Sequence, residues 1–175
     1  NFTKNITVLN AQTICNTHSY TPEECQAKYE RVVVGSLKGY GMYVEKIPKD
    51  KLEELKEQNH HLIEHERFLS LYKSKSPYIK AAYYEVISNL LLHAPQLLKT
   101  VETKLAALVF KSIDESDPAI SSHVWSCILL TQIKIDKWWT HINIKLFFEK
   151  LFAILKSCNN ASLIFPNLLP LISHF

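Results

Sequence analysis

Residues 117–132 read DPAISSHVWSCILLTQ, and this stretch decides how the rest of the chain is laid out. Asp117 suits the cap of a helix, where its carboxylate accepts from first-turn N–H groups, and Pro118 suits the first helical position, where its missing N–H costs nothing. Ile120, Val124, Cys127 and Ile128 follow at the spacing of one helix face. At Ser76, 41 positions earlier, the pattern recurs: Ser76, Pro77, then Ile79, Tyr83, Val86 and Ile87, with Leu90 in the place of Thr131. A cap, a proline and one apolar register recurring at about 40 residues is the period of HEAT and armadillo arrays, whose helix pairs bury their apolar faces only by stacking. The spacing predicts an all-α fold, a HEAT/armadillo-like α-solenoid of stacked antiparallel helix pairs.

Outward from these two helices lie their partners. Val101, Leu105, Leu108 and Val109 form one stripe after Pro95; Phe147, Leu151, Ile154 and Leu155 form the other. The recurrent units therefore span about 76–113 and 117–158 of a single solenoid segment, 1–175. The partner stripes lie 46 positions apart (147 minus 101), so the second unit has about five extra residues, in Lys137-Trp138-Trp139-Thr140-His141. We read this tryptophan pair as packing rather than as an interaction spot. Beyond it, 161–175 begins a further helix that includes Pro166 and Pro170.

Toward the N-terminus, Thr21-Pro22-Glu23-Glu24 is a capping box that starts a helix over about 21–44, with Tyr29, Val33, Leu37, Tyr40 and Val44 inward. All three glycines, Gly35, Gly39 and Gly41, fall in this helix; Gly35 and Gly39 lie one turn apart, where a neighbouring helix can approach closely. Pro48 ends it. Shorter helices are expected over about 49–72, one over 49–58 with Leu52 and Leu55 as apolar points and one marked by Leu62, Leu69 and Tyr72. Ile6, Leu9 and Ile14 mark the end of an earlier helix.

Hydrophobic residues make up 47% of the 175 residues and charged ones 21%, a balance that folds, while three glycines and seven prolines are few for a β-rich chain. The net charge of +3 falls short of a dedicated nucleic-acid domain, so DNA is not an expected partner. Apolar runs are too short for a transmembrane span, and residue 1 does not begin a signal peptide, so no membrane partner is expected. The missing initiator Met and the apolar end at Phe175 lead us to expect a piece of a longer chain. Cys15, Cys25, Cys127 and Cys158 are scattered without a CxxC pair, and we expect free thiols of a cytoplasmic protein. Asn1-Phe2-Thr3, Asn5-Ile6-Thr7 and Asn160-Ala161-Ser162 match the permissive glycosylation tripeptide without altering that expectation.

The sharpest chemical motif is His61-Leu62-Ile63-Glu64-His65, the HxxEH pattern of inverzincin metallopeptidases. On a helix the two imidazoles share a face and reach one zinc ion, with Glu64 as base. That chemistry also needs a third ligand and an α/β scaffold; without them we read a polar helix face. Asp114-Glu115-Ser116-Asp117 lacks the glycine and distal glutamate of a calcium loop and reads as helix capping. No GxSxG or other nucleophile–base signature is present. Arg67, Lys73, Lys75 and Lys80 form one local basic cluster with Tyr72 and Tyr78 interleaved, suited to a phosphate backbone or to a solvated inter-repeat turn.

The runs SPYIKAAYYEVISNLLLHAPQLL, KSIDESDPAISSHVW and IFPNLLPLISHF, in this order and preceded by AKYERVVVGSLKG, resemble the N-terminal solenoid of the listerin family. These are RING-type E3 ubiquitin ligases of ribosome-associated quality control. The resemblance implies a docking or scaffold segment that acts on a stalled large ribosomal subunit beside its nascent-chain-sensing quality-control factor. It implies that ubiquitin transfer, zinc and the E2 enzyme belong to a distant C-terminal RING. No zinc-binding Cys/His pattern stands in this chain, so we expect no catalytic residue and no cofactor in the segment, and Arg67, Lys73, Lys75 and Lys80 as its candidate contacts. The alternative is a solenoid scaffold or transport adaptor that binds protein partners.

Overall fold

The computed structural model describes residues 2–17, 20–157 and 161–173. In chain order its α-helices are α1 (Phe2–Thr7), α2 (Ala11–Thr17), α3 (Pro22–Lys46), α4 (Lys49–Glu54), α5 (Lys56–Ile63), α6 (Glu66–Leu69), α7 (Pro77–His93), α8 (Glu102–Lys111), α9 (Pro118–Lys134), α10 (Ile144–Ser157) and α11 (Ala161–Ile172). Single 3-10 turns stand at Leu71–Lys73, Pro95–Leu98 and Trp138–His141, and no strand occurs among the described residues. The fold is an all-α solenoid.

One device starts each of the three long helices. Thr21, Ser76 and Asp117 hold extended backbone, accept from Glu24, Ile79 and Ala119 N–H respectively, and are each followed by proline. At Thr21 the box is reciprocal: its own N–H donates to Glu24 Oε2 at 2.8 Å. Such a cap is worth about 1 kcal/mol, and three of them fix where α3, α7 and α9 begin.

These helices lie side by side, α7 between α3 and α9, and α11 continues the row beyond α9. Their facing sides are apolar and closed: Val33, Leu37, Tyr83, Val86, Ile87, Leu90, Val124 and Ile128 are each 0% exposed. Full burial of such side chains contributes about 1.5–3 kcal/mol each, which exceeds anything the short helices supply by propensity. The expected inward residues of α3 are buried except Tyr29, which is half-buried.

The glycines do not serve as a pair. A Cβ on Gly35 would meet nothing within 4 Å. One on Gly39 would stand 2.8 Å from the Phe2 ring of α1, and one on Gly41 would stand 2.9 Å from Asn89 Nδ2 on α7. The close helix approach is thus at Gly41, while Gly39 seats an aromatic ring. Gly35 points to open space, because helical spacing cannot say which neighbour sits on which side.

Between α3 and α7 the chain is cut into short pieces. The helix expected over 49–58 ends at Glu54, so Leu52 is buried while Leu55, at the break, is 37% exposed and serves no core. The next stretch divides into α5, α6 and the turn Leu71–Lys73, anchored by Ile63 and Phe68, both 0% exposed. Tyr40 on α3 donates its hydroxyl to Asn59 Oδ1 at 2.9 Å, and Asn59 Nδ2 donates to Leu55 O at 2.8 Å, so a buried amide ties this insert to the spine.

In the second layer, Val101, Leu105, Leu108 and Val109 are all buried beneath α8. On α10, Phe147 and Leu151 are buried, whereas Ile154 and Leu155 are half-buried. Helix α11 runs through both Pro166 and Pro170, and Gln132 of α9 donates to its Leu171 carbonyl at 2.8 Å. Trp125 is 3% exposed and, with Ile113, Ile154 and Ile164, lines a small cavity where α9 meets α10 and α11.

At the N-terminal end the expectation of four free thiols fails. Cys15 of α2 and Cys25 of α3 form a disulfide, with Cα atoms 5.7 Å apart, because α2 folds back along α3. Cys127 is free and buried, its thiol pushed up to about 12 by burial against weaker opposing bonds from Ser88; Cys158 lies outside the described residues. Of the three glycosylation tripeptides, only Asn5-Ile6-Thr7 falls wholly on described residues. Asn5 Nδ2 donates to Ser36 Oγ at 3.0 Å and Thr7 is buried, so this one is part of the α1–α3 contact. No helix among the described residues is long and apolar enough to cross a membrane.

Candidate docking surfaces

The HxxEH motif does not lie on one helix. Helix α5 ends at Ile63, Glu64 caps it, and His65 turns to extended backbone, where its Nδ1 accepts from the Arg67 N–H at 3.1 Å as the cap of α6. The rings of His61 and His65 meet edge-on with centroids 6.4 Å apart. One imidazole nitrogen is therefore committed to the backbone, and the i, i+4 geometry that would aim both rings at one ion is broken. Among the described residues no three His, Cys, Asp or Glu side chains are placed to hold a metal ion. Glu102 pairs with Lys99 at 3.0 Å and Glu149 with Lys145 at 4.0 Å.

The acidic turn is a junction between units. Asp117 caps α9; Glu115 accepts from the Asp117 N–H at 3.2 Å and pairs with Lys80 of α7 at 2.9 Å; Asp114 pairs with Lys150 of α10 at 2.7 Å. Burial pushes the Glu115 carboxyl up, but the hydrogen bond from Lys80, the Asp117 N–H, the Lys80 charge and the Ser116 N–H outweigh it and hold it below its usual range.

This places the basic cluster residue by residue. Lys80 faces Glu115 and is 24% exposed. Arg67 reaches the other way, donating to Thr7 O at 3.3 Å and Tyr29 Oη at 3.4 Å, where it pins α1 and α3 to α6. Lys73 and Lys75 remain exposed on the turn between α6 and α7, Lys73 with its ammonium 5.4 Å from the Tyr72 ring centre. Tyr78, just beyond, is 67% exposed. A free cationic turn beside two tyrosines is the part of the cluster open to a partner.

The tryptophan pair splits. Trp138 is 1% exposed and stacks on Phe110 of α8 at 4.5 Å and 4°, whereas Trp139 stands edge-on to it and is 43% exposed. Phe110 continues to Phe147 at 5.4 Å, then Phe148 at 5.3 Å and Phe152 at 6.3 Å. The residues that lengthen the second unit thus supply one end of a six-ring ladder across the second layer. The expectation that both tryptophans pack holds for Trp138 and not for the exposed Trp139; the ladder, whose members come from three separate segments, had the density of Phe and Trp over 138–152 as its available signal.

The family model for the E3 ubiquitin-protein ligase listerin, N-terminal domain, matches residues 1–175. The chain is similar to the E3 ubiquitin-protein ligase listerin of Drosophila melanogaster, 36% identical over 178 residues that cover 98% of this chain and 10% of that protein. To the protein of the same name from Mus musculus it is 33% identical over 164 residues, 92% of this chain and 9% of the relative, and to that of Xenopus tropicalis 32% over 164 residues. It spans about a tenth of the length of these relatives. No solved structure matches the chain. A full-length family match, and identities above 30% with nearly all of the chain covered, place this all-α solenoid in the listerin family of E3 ubiquitin-protein ligases, in its N-terminal region.

Proposed function

We propose that this chain is a non-catalytic docking and scaffold segment of an E3 ubiquitin ligase that ubiquitinates nascent chains on stalled large ribosomal subunits in the cytoplasm. The observation that carries the reading is that, in a chain of the listerin family, the polar groups with chemical potential hold helices together. His65 and Asp117 cap, Glu115 and Asp114 pair across units, and Arg67 and Asn59 tie the insert down, Asn59 by accepting from Tyr40. On this reading a zinc-binding RING elsewhere in the full-length protein engages the E2 enzyme, and this segment needs no cofactor. Its own partners are the large subunit and the nascent-chain-sensing factor beside it.

Lys73 and Lys75 supply the contact with phosphate, with Arg67 and Lys80 setting the shape of the turn from behind. The test is co-sedimentation of the purified chain with isolated large subunits, with and without the sensing factor, over a range of salt. The double variant Lys73→Glu, Lys75→Glu is expected to pellet less and to lower the slope of log affinity against log salt by about 1 for each phosphate that the variant no longer neutralises. Unchanged pelleting of a folded variant removes this turn as the site; absence of pelleting by the parent chain in both conditions removes the docking reading itself.

A further inference from the structure

Beside the aromatic ladder, α8 and α10 leave an open groove of about 240 Å³. Its floor is Phe110 and Phe147, its walls Ala107, Ile142 and Leu146, and Lys111 stands at its rim. The floor is closely packed: both phenylalanines are 3% exposed and contact ladder neighbours. The mouth is open: Leu146 is 43% exposed and Ala107 is exposed. The volume lies below the roughly 300–1,000 Å³ of small-molecule sites and fits one bulky apolar side chain presented by a larger partner.

Charge at the rim selects among partners. Lys150 donates to the Lys111 carbonyl at 2.6 Å and to Asp114 at 2.7 Å, which closes one end of the groove and neutralises its own charge. Glu149 is matched by Lys145. Lys104 and Lys111 are exposed one turn to either side of Ala107 on the solvent face of α8, and neither has an ion-pair partner among the described residues. A nucleic-acid backbone carries no bulky apolar group to fill this floor, whereas a peptide with an apolar anchor does, and it can set carboxylates beside Lys111 at the rim and Lys104 two turns earlier on α8.

We propose that this groove docks a protein segment carrying one bulky aliphatic or aromatic anchor with Asp or Glu beside it. The anchor seats on Phe110 and Phe147, against Leu146, and the acidic side chains meet Lys104 and Lys111. The arrangement is the groove mode of peptide recognition, with energy concentrated in one buried anchor and orientation set by rim charge. It is independent of the ribosome-docking reading, which rests on the turn before α7.

The test selects a phage-displayed library of random peptides on the full chain, with counter-selection on Ala107→Arg, which fills the groove from an exposed helix position and keeps a good helix former. The expected consensus is an apolar anchor flanked by Asp or Glu. A synthetic peptide of that consensus should lose at least about tenfold in affinity on Ala107→Arg and several-fold on Lys111→Glu, the latter difference shrinking as salt rises. Circular dichroism melting of each variant establishes that it is folded, and Leu146→Asp supplies a second block should Ala107→Arg melt early. Failure to enrich peptides over the counter-selected chain, a consensus without acidic residues, or an oligoribonucleotide that binds the parent chain and is lost on Ala107→Arg would each overturn the proposal.

Discussion

Helices α7 and α9 and the insert from Lys49 to Lys73 meet the same physical demand by different means. Each long helix satisfies its backbone internally, needs one cap at Ser76 or Asp117, and buries a continuous apolar face. The insert ends a helix every few residues, and each end exposes N–H and C=O groups that side chains must meet. Polar residues therefore concentrate there: His65 caps α6, Asn59 bonds Leu55 O, Ser70 bonds Arg67 O. A stretch with many helix ends thus resembles a chemical site because capping and catalysis draw on the same side chains. What distinguishes Lys73 and Lys75 is that the fold gives them nothing to cap.

The largest effect expected of this contrast lies in the spine. Trp125→Ala empties the junction of α9, α10 and α11 and should cost about 3–5 kcal/mol in chemical denaturation. A loss below about 1 kcal/mol would mean that the units are not held together there. A smaller effect tests the repeat register from the other direction. Thr131 occupies the position of Leu90, is 0% exposed, and its Oγ1 has no hydrogen-bond partner among the described residues. Thr131→Val removes a buried unsatisfied hydroxyl at nearly constant shape and should raise stability by about 1 kcal/mol; destabilisation would show that the hydroxyl is bonded.

The smallest effect lies in the pair that joins α7 to the turn before α9. Because the folded Glu115 carboxyl is held below its usual range, its contribution is present above the unfolded pKa and is lost as pH falls through the lower folded value. Glu115→Gln should flatten the acid limb of stability against pH by less than about 1 kcal/mol, with little change in slope near neutrality. An unchanged acid limb would mean that Lys80 is not its partner in solution and is free to join Lys73 and Lys75.

What could be read from the sequence follows the same division. The Ser76-Pro77 and Asp117-Pro118 copies gave the period and the α7 and α9 boundaries because cap, proline and apolar face coincide. Thr21-Pro22 is a third copy of the device, yet it escaped the periodic pattern because the insert stretches the interval from Thr21 to Ser76 to 55 positions. Cys15 and Cys25 pair because α2 packs along α3, a contact that no local pattern announces. Among the basic residues, proximity in sequence could not reveal that Arg67 turns toward Thr7 and Lys80 toward Glu115. The groove was invisible because Phe110, Ile142 and Phe147 meet only after α8 and α10 have packed.

Native-state hydrogen exchange measures the contrast between spine and insert most directly, since it reports the opening free energy amide by amide. Interior amides of Pro77–His93 and Pro118–Lys134 are expected to exchange only through global unfolding, while those of Lys49–Glu54 and Glu66–Leu69 exchange through local openings well below it. Equal protection in both regions would contradict this division, because the insert would then belong to the spine and its polar residues would need another explanation than the capping of helix ends.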